Sequence, residues 1–330
     1  MADISGELLR DRFRGCLVGL AVGDALGMPV ETLTAEEILV ATGGHGVEGF
    51  LAPLQRRFHS TTLLKPGQWT DDTQLALAIA RSLVRKRGFN LEDIAAEHII
   101  EYRRGRRGWG GSTTIGIGEL ADGRRKAGDP VLDPEAHGLG NGVAMKIAPL
   151  ALCYFTEVGT SAFTERVRAL ASLTHRDPCA AAGAWMVARL IVETLNDVIF
   201  VPTSPDPAAY AGLNHCAVHG QFDRRIVPPR IAAHVPIERL AATIGTSCAV
   251  IESVPFVLAT ATRGLTFRDS VLVAVNAGGD TDSNAAMVGA MRGAFHGLST
   301  IPREWVDGLE AHDEIIALAD QLFELASSRT

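Results

Sequence analysis

Two short stretches place paired carboxylates beside hydroxyls: Thr70-Asp71-Asp72 in WTDDTQLAL, and Asp280-Thr281-Asp282-Ser283 in NAGGDTDSNAAMVGA. Each stands where a polar or glycine-rich turn gives way to an apolar, helix-like run. One such pair has an ordinary explanation, because Thr70 is a good N-cap and acids in a first helical turn are stabilised by free backbone N–H groups and the helix dipole. The arrangement occurs twice, however. If the two helix starts meet, Asp71, Asp72, Asp280 and Asp282 share one pocket with the hydroxyls of Thr70 and Ser283. Buried like charges either raise their pKa values or recruit counter-ions. An all-oxygen donor set suits two hard divalent cations, Mg²⁺ or Mn²⁺, and disfavours zinc. Six protein side chains under-fill two octahedral ions unless carboxylates bridge, and the open positions admit water and substrate, as a two-metal hydrolytic site requires.

Further polar handles lie along the chain. GCLVGLAVGDALGMPVE (15–31) repeats small residues along an expected helix and carries Asp24 and Glu31 toward a break at Pro29. Glu31, on a loop beside cations, suits acid/base work or holding the attacking water. GWGGSTTIGIG (108–118) offers Gly110, Gly111, Ser112 and Thr113 as a glycine-rich loop able to turn N–H groups toward phosphate oxygens, although it matches neither the P-loop nor the dinucleotide fingerprint. GLGNGVAMKIAPL (138–150) supplies Asn141 and Lys146, and LTHRDP places His175 at a helix end. RRGRR (103–107) reads as a solvated basic patch, with a phosphate-bearing ligand as the alternative. His215, Cys216 and His219 in NHCAVHG have helical metal-ligand spacing but no matching acid nearby, which makes them a weak metal site.

These groups need elements to position them. With 47% hydrophobic and 21% charged residues, the 330-residue chain has the composition of a well-filled globular core. Apolar residues recur at helical spacing in TQLALAIARSLV, LEDIAAEHIIEY, CAAAGAWMVARLIVETL and EIIALADQLFELA, so the expected fold is all-α. Glycines in NAAMVGAMRGAFHG cost about 1 kcal/mol each relative to Ala, a loss that close helix packing offsets. Pro202 to Pro236 is rich in helix breakers and reads as an irregular loop or insertion within one domain covering 1–330. The net charge of −7 argues against a protein whose main partner is nucleic acid or an anionic membrane. Cys16, Cys153, Cys179, Cys216 and Cys248 show no C-x-x-C spacing, so no disulfide framework is expected and a reducing cytoplasm fits. No signal peptide or unbroken apolar run of about 18 residues stands out.

In order along nearly the whole chain, FRGCLVGLAVGDALGMPVE, WTDDTQLALAIARSL, GWGGSTTIGIG, GNGVAMKIAPLAL, LTHRDP, IESVPFVLATA and NAGGDTDSNAAMVGAMRGAFHG resemble the ADP-ribosylglycohydrolase family. The resemblance implies a compact all-helical single domain with a binuclear Mg²⁺ or Mn²⁺ centre in a cleft. It implies a hydrolase that releases ADP-ribose from an ADP-ribosylated protein or small molecule, nucleic acid entering only as an ADP-ribosylated substrate. By position it assigns Thr70, Asp71, Asp72, Asp280, Asp282 and Ser283 to the metals. Glu31, Asp71 and Asp282 fall at the reaction centre, Gly110 to Thr113 at the pyrophosphate, and Asn141 and His175 along the ADP-ribose cleft. Ser283 stands where many relatives carry Thr, and Lys146 where Arg is frequent, which keeps the charge but loses bidentate geometry. Three alternatives stay open: a hydrolase of another N- or O-glycoside, a non-catalytic ADP-ribose binder, and a two-metal phosphoesterase.

Overall fold

The computed structural model describes residues 6–54, 63–133, 138–196 and 233–329. Among these the chain forms helices and no strand. The first half contributes α1 (Gly6–Gly27), α2 (Ala35–Ala41), α3 (Asp71–Lys86), α4 (Leu91–Arg104), α5 (Gly111–Ala121), α6 (Ala148–Cys153), α7 (Ser161–Ser172) and α8 (Pro178–Leu195). The second half adds α9 (Ile237–Ile244), α10 (Val250–Ala261), α11 (Phe267–Asn276), α12 (Thr281–His296), α13 (Arg303–Gly308) and α14 (His312–Ser327). The all-α expectation holds, and the four periodic segments fall in α3, α4, α8 and α14. Almost all of the breaker-rich segment lies outside the described residues, as do His215, Cys216 and His219.

Boundaries follow local chemistry. Thr34, Asn90, Thr160 and Thr266 each accept a backbone N–H of the first turn of α2, α4, α7 and α11 through a side-chain oxygen. Asp177 does the same for α8, which begins with Pro178 at the position where a missing N–H costs nothing.

The centre of the molecule is an antiparallel pair, α1 against α12. Gly15, Gly19, Gly23 and Gly27 recur every fourth residue along α1 and face Gly293, Gly289, Ala285 and Thr281 of α12. A Cβ built on Gly19 would overlap the carbonyl of Gly289, and one on Gly289 the carbonyl of Gly19. The i±4 ridges of both helices are reduced to backbone, so they touch main chain to main chain. This is the packing that compensates the poor helix propensity of the glycines. Helices α8, α10, α11 and α14 surround the pair. The segments Gly6–Val30 and Pro178–Leu195 are long and apolar enough to cross a membrane, but 94% and 78% of those windows are buried inside the molecule. A helix enclosed on all sides is apolar all round. Cys16 and Cys153 are buried free thiols; Cys179 is disulfide-bonded, which corrects the expectation of unlinked cysteines.

Substituting Gly19→Ala should destabilise the protein. The methyl group gains about 1 kcal/mol of helix propensity, but it must push two backbones apart, and overpacking of this kind costs roughly 1–3 kcal/mol or more. A lower urea midpoint is the expected result.

Candidate functional site

The α1–α12 contact brings the C-terminal end of α1 beside the first turn of α12, where the Thr281 hydroxyl donates to Gly27 O at 2.8 Å. Asp24, one turn before that end and fully buried, faces the start of α3. Its carboxylate accepts from Thr70 N at 2.9 Å, Thr70 Oγ1 at 2.8 Å, Thr73 N at 3.0 Å and Thr73 Oγ1 at 2.7 Å. Thr70 sits at the N-cap position yet makes no side-chain cap, so the expected local cap is replaced by a carboxylate from 46 residues upstream. Two N–H groups and two hydroxyls occupy the lone pairs of Asp24. Although one of its oxygens lies within 4.8 Å of those of Asp72 and Asp282, Asp24 is engaged in holding α3 in place.

With its hydrogen committed to Asp24, Thr70 Oγ1 stands 3.4 Å from Asp72 Oδ2 and 3.5 Å from Asp282 Oδ2. These are oxygens facing oxygens with no proton left to share. Among the described residues Asp72 Oδ1 is buried with no hydrogen-bond partner, and Ser283 Oγ reaches Asp72 Oδ2 only at 3.4 Å. On the other side of Asp282, oxygens of Glu31, Asp280 and Asp282 lie within 4.8 Å of one another. Asp282 therefore belongs to two carboxylate groups. Asp71 joins neither at that distance, although it lines the same cleft.

Burial, with Asp24 and Asp280 nearby, pushes the Asp71 carboxyl up to about 8, against the pull of Lys146. Asp72 and Asp282 are held well above the usual range, first by burial and then by neighbouring acids, Asp24 for Asp72 and Glu31 for Asp282. Asp280 is raised by burial and partly relieved by Asn141, whose Nδ2 donates to Asp280 Oδ2 at 2.6 Å. Lys146 is fully buried behind the cluster, its ammonium without a hydrogen-bond partner among the described residues. Burial lowers it to about 8 while Asp71 and Asp72 pull it back up. One ammonium cannot compensate this many carboxylates. The donor set is compatible with a metal site on its own chemistry: buried, oxygen-only and short of positive charge.

Two isolated antiparallel bridges align the loops around the cluster, Thr34 with Gly278 and Gly140 with Ala249. At the first, Thr32 N donates to Gly279 O at 2.7 Å and Gly279 N to Leu33 O at 2.9 Å, tying the Glu31 loop to the turn before Asp280. Gly278 and Gly279 have φ of 78° and 81°, and a Cβ on Gly279 would strike Thr246 O; only glycine suits both demands. Thr32 adopts φ 71° without being glycine, a local strain directly after Glu31. At the second bridge, Asn141 N donates to Cys248 O and Val250 N to Leu139 O, both at 2.9 Å, which fixes Asn141 against Asp280.

A cavity of about 710 Å³ opens over the carboxylates. Glu31, Asp71, Asp72, Gly110, Gly111, Ser112, Thr113, Asn141, His175, Asp280, Asp282 and Ser283 all line it; Thr70 lies just behind, fully buried. The expected glycine loop is shorter than its sequence suggests. Gly111 onward is already α5, with Gly110 as an N-cap that has no capping side chain, so the open N–H groups of the first turn face the cleft. His175 is buried, Thr174 Oγ1 occupies its Nδ1 at 2.7 Å, and burial with Lys146 nearby pushes it down to about 3. Arg125, nine-tenths enclosed, ties these walls together: it pairs with Glu119 at 2.9 Å and donates to Gly116 O at 2.7 Å and Ser172 O at 3.2 Å. Sequence reasoning missed Asp24 as a clamp and Arg125 altogether. A lone acid inside the apolar run of α1 was a usable signal for the first; DGRRKAG carried none for the second.

The family model described as ADP-ribosylglycohydrolase matches residues 5–330. The chain belongs to the ADP-ribosylglycohydrolase family. Its enzyme class follows, a glycosidase acting on ADP-ribosyl groups. The ADP-ribosyl-[dinitrogen reductase] glycohydrolase of Rhodospirillum rubrum is 30% identical over 98% of this chain and 99% of its own length. The ADP-ribosylarginine hydrolase Tri1 of Serratia proteamaculans is 26% identical over 96% of this chain and 80% of its own. A solved structure described as an ADP-ribosylglycohydrolase-related protein complex matches with a TM-score of 0.71 at 29% identity, covering 97% of this chain and 99% of that one.

Two substitutions test how this ADP-ribosylglycohydrolase holds its cleft. Asp24→Asn turns an amide NH₂ toward buried donors and should cost about 2–4 kcal/mol in urea unfolding, since each buried N–H without an acceptor costs roughly 1–3. His175 stays neutral in the fold down to about 3 but protonates near 6.5 when unfolded. Its contribution is therefore present above 6.5 and lost as pH falls toward 3. His175→Gln should flatten the acid limb of stability by up to about 1.4 kcal/mol per pH unit, read from denaturant midpoints between pH 6 and 4.

Proposed function

We propose that this ADP-ribosyl hydrolase depends on two divalent cations, Mg²⁺ or Mn²⁺, and cleaves the N-glycosidic bond between ADP-ribose and the guanidine of arginine. The observation that carries the reading is the buried, cation-poor oxygen cluster at the base of a cleft whose wall is the open N-terminus of α5. Thr70, Asp72 and Asp282 would hold one cation, and Glu31, Asp280 and Asp282 the other, with Asp71 and Ser283 completing the set. When bound, such ions supply Lewis-acid polarisation and make water nucleophilic at neutral pH.

The chain's own groups do the remaining work. First-turn N–H groups at Gly111 to Thr113 receive the pyrophosphate, aided by the positive end of the α5 dipole. Asn141 and neutral His175 line the path between that wall and the carboxylates, so binding energy from the remote phosphates positions the ribose carbon. Glu31 accepts the proton of the attacking water. The bond from C1 to nitrogen breaks as the bond from C1 to the water oxygen forms, and the proton ends on the departing guanidine. Carboxylates on every side favour a cationic leaving group, in keeping with the arginine-directed name of the Serratia relative.

Mass spectrometry of products from ADP-ribosylarginine and ADP-ribosylserine peptides, with Mn²⁺, Mg²⁺ or EDTA, tests this. Release of ADP-ribose from the arginine peptide, abolished by EDTA, is expected. Asp282→Ala should lose all detectable release together with the upward shift of Tm that saturating Mn²⁺ gives the wild type, which linkage puts at about 2.7 kcal/mol at one hundred times Kd. An active Asp282→Ala protein would sink the two-cation reading.

A further inference from the structure

A second cavity, of about 470 Å³, lies between α7, α8 and the segment that follows α5. Val167 and Ala171 of α7, Ala182 and Trp185 of α8, and Pro130 and Pro178 give it apolar walls. Its frame is fixed. Arg125, paired with Glu119, donates to Asp129 O at 2.9 Å and to Ser172 O at 3.2 Å, so one buried guanidinium joins the 128–130 edge to the end of α7. Among the described residues His175 is the one side chain that lines both this cavity and the carboxylate cleft. None of the residues assigned to the metals or to the pyrophosphate lines it.

These walls carry donors that lack acceptors. Trp185 is buried, and its Nε1–H has no hydrogen-bond partner among the described residues. A buried indole N–H normally finds one, and it can only donate. Arg176, exposed on the cavity's edge, reaches Asp133 O at 3.3 Å and meets no carboxylate among the described residues. Arg168, also on the edge, shares its charge with Glu165 on the same face of α7. Asp177 is the one acid among the lining residues, and its Oδ1 is taken by Cys179 N at 2.8 Å as the cap of α8. The cavity thus combines apolar faces, a buried neutral donor and guanidiniums at its edge.

We propose that this cavity is a second ligand site, separate from the cleft, that takes a purine nucleoside monophosphate. A fused heteroaromatic base suits apolar walls and brings ring nitrogens that accept from Trp185 Nε1, whereas a hydrocarbon of the same size would leave that donor unpaired. A phosphate answers Arg176 and Arg168 through charge-assisted bonds. The volume is more than a single ring needs and falls in the range of sites for drug-sized ligands, so a sugar fits between base and phosphate. Arg125 holds the surrounding segments whether or not a ligand is present, which keeps the ordering cost of binding small.

The site does not depend on which acceptor the enzyme cleaves, and its test reads binding without turnover. The whole chain, with Mn²⁺ present and ADP-ribose held at about ten times its Kd to fill the cleft, is titrated with AMP, and bound AMP is counted by equilibrium dialysis. One AMP per chain is expected, with a change in tryptophan fluorescence that Trp185→Phe removes. That variant keeps an aromatic ring and loses the N–H, so AMP should bind about tenfold more weakly, the worth of one hydrogen bond. Its affinity for ADP-ribose should stay within about twofold of wild type, because Trp185 does not line the cleft. Arg176→Gln, at an exposed position, should weaken AMP by about fivefold and leave adenosine unaffected, and it carries the test if Trp185→Phe does not fold. AMP displaced in step with ADP-ribose occupancy, or bound equally well by wild type and both variants, overturns the second site. Adenosine bound as tightly as AMP by wild type overturns the phosphate's part in it.

Discussion

Everything in the site depends on two helices touching through their backbones. Side chains larger than hydrogen along the facing stripe of α1 and α12 would hold the axes apart, and Asp24 would no longer reach the start of α3 while Asp282 stands beside it. The glycines are costly in helix propensity and are retained because close approach is a geometric demand. Stability is thus spent on proximity, and proximity is what gathers carboxylates from three separate elements.

Gathering them creates an electrostatic problem that the fold solves only in part. Asp24 is satisfied by four donors and Asp280 by Asn141, and Lys146 leans on Asp71 and Asp72 from behind. Asp72 and Asp282 receive no comparable help, and their carboxyls are driven well above the usual range. A protein that merely needed a stable core would place hydrophobic groups there, because an under-compensated buried acid is a liability. Leaving the deficit at the floor of a cleft is intelligible when a cation makes it up and substrate arrives from the open side.

Much of this was legible in the chain because it is local. Helical periodicity gave α3, α4, α8 and α14, and paired acids at two helix starts gave the cluster, since side-chain types and spacing carry that information directly. The rest depended on long-range contacts. Nothing near Thr70 says that its cap comes from Asp24, 46 residues away. Nor does GWGGSTTIGIG say where loop ends and helix begins, because glycine permits both and only packing under the Leu173 and Thr174 backbone decides it. Arg125 is the clearest case: a residue in a charged run that ends up nearly enclosed, because carbonyls from three segments converge on its guanidinium.

The first turns of α3 serve the carboxylate cluster and the cleft wall at once. Asp71 and Asp72 face the cleft, and Gln74, on the next turn, clamps the segment between α4 and α5. The loop's position relative to the reacting centre is therefore set by rigid main-chain and indole contacts, while the side chains at its outer surface make no bond to the carboxylate cluster. The division is not complete, because Glu101 accepts from both Gln74 and the exposed Arg104, so a change at Arg104 reaches the clamp through their shared carboxylate.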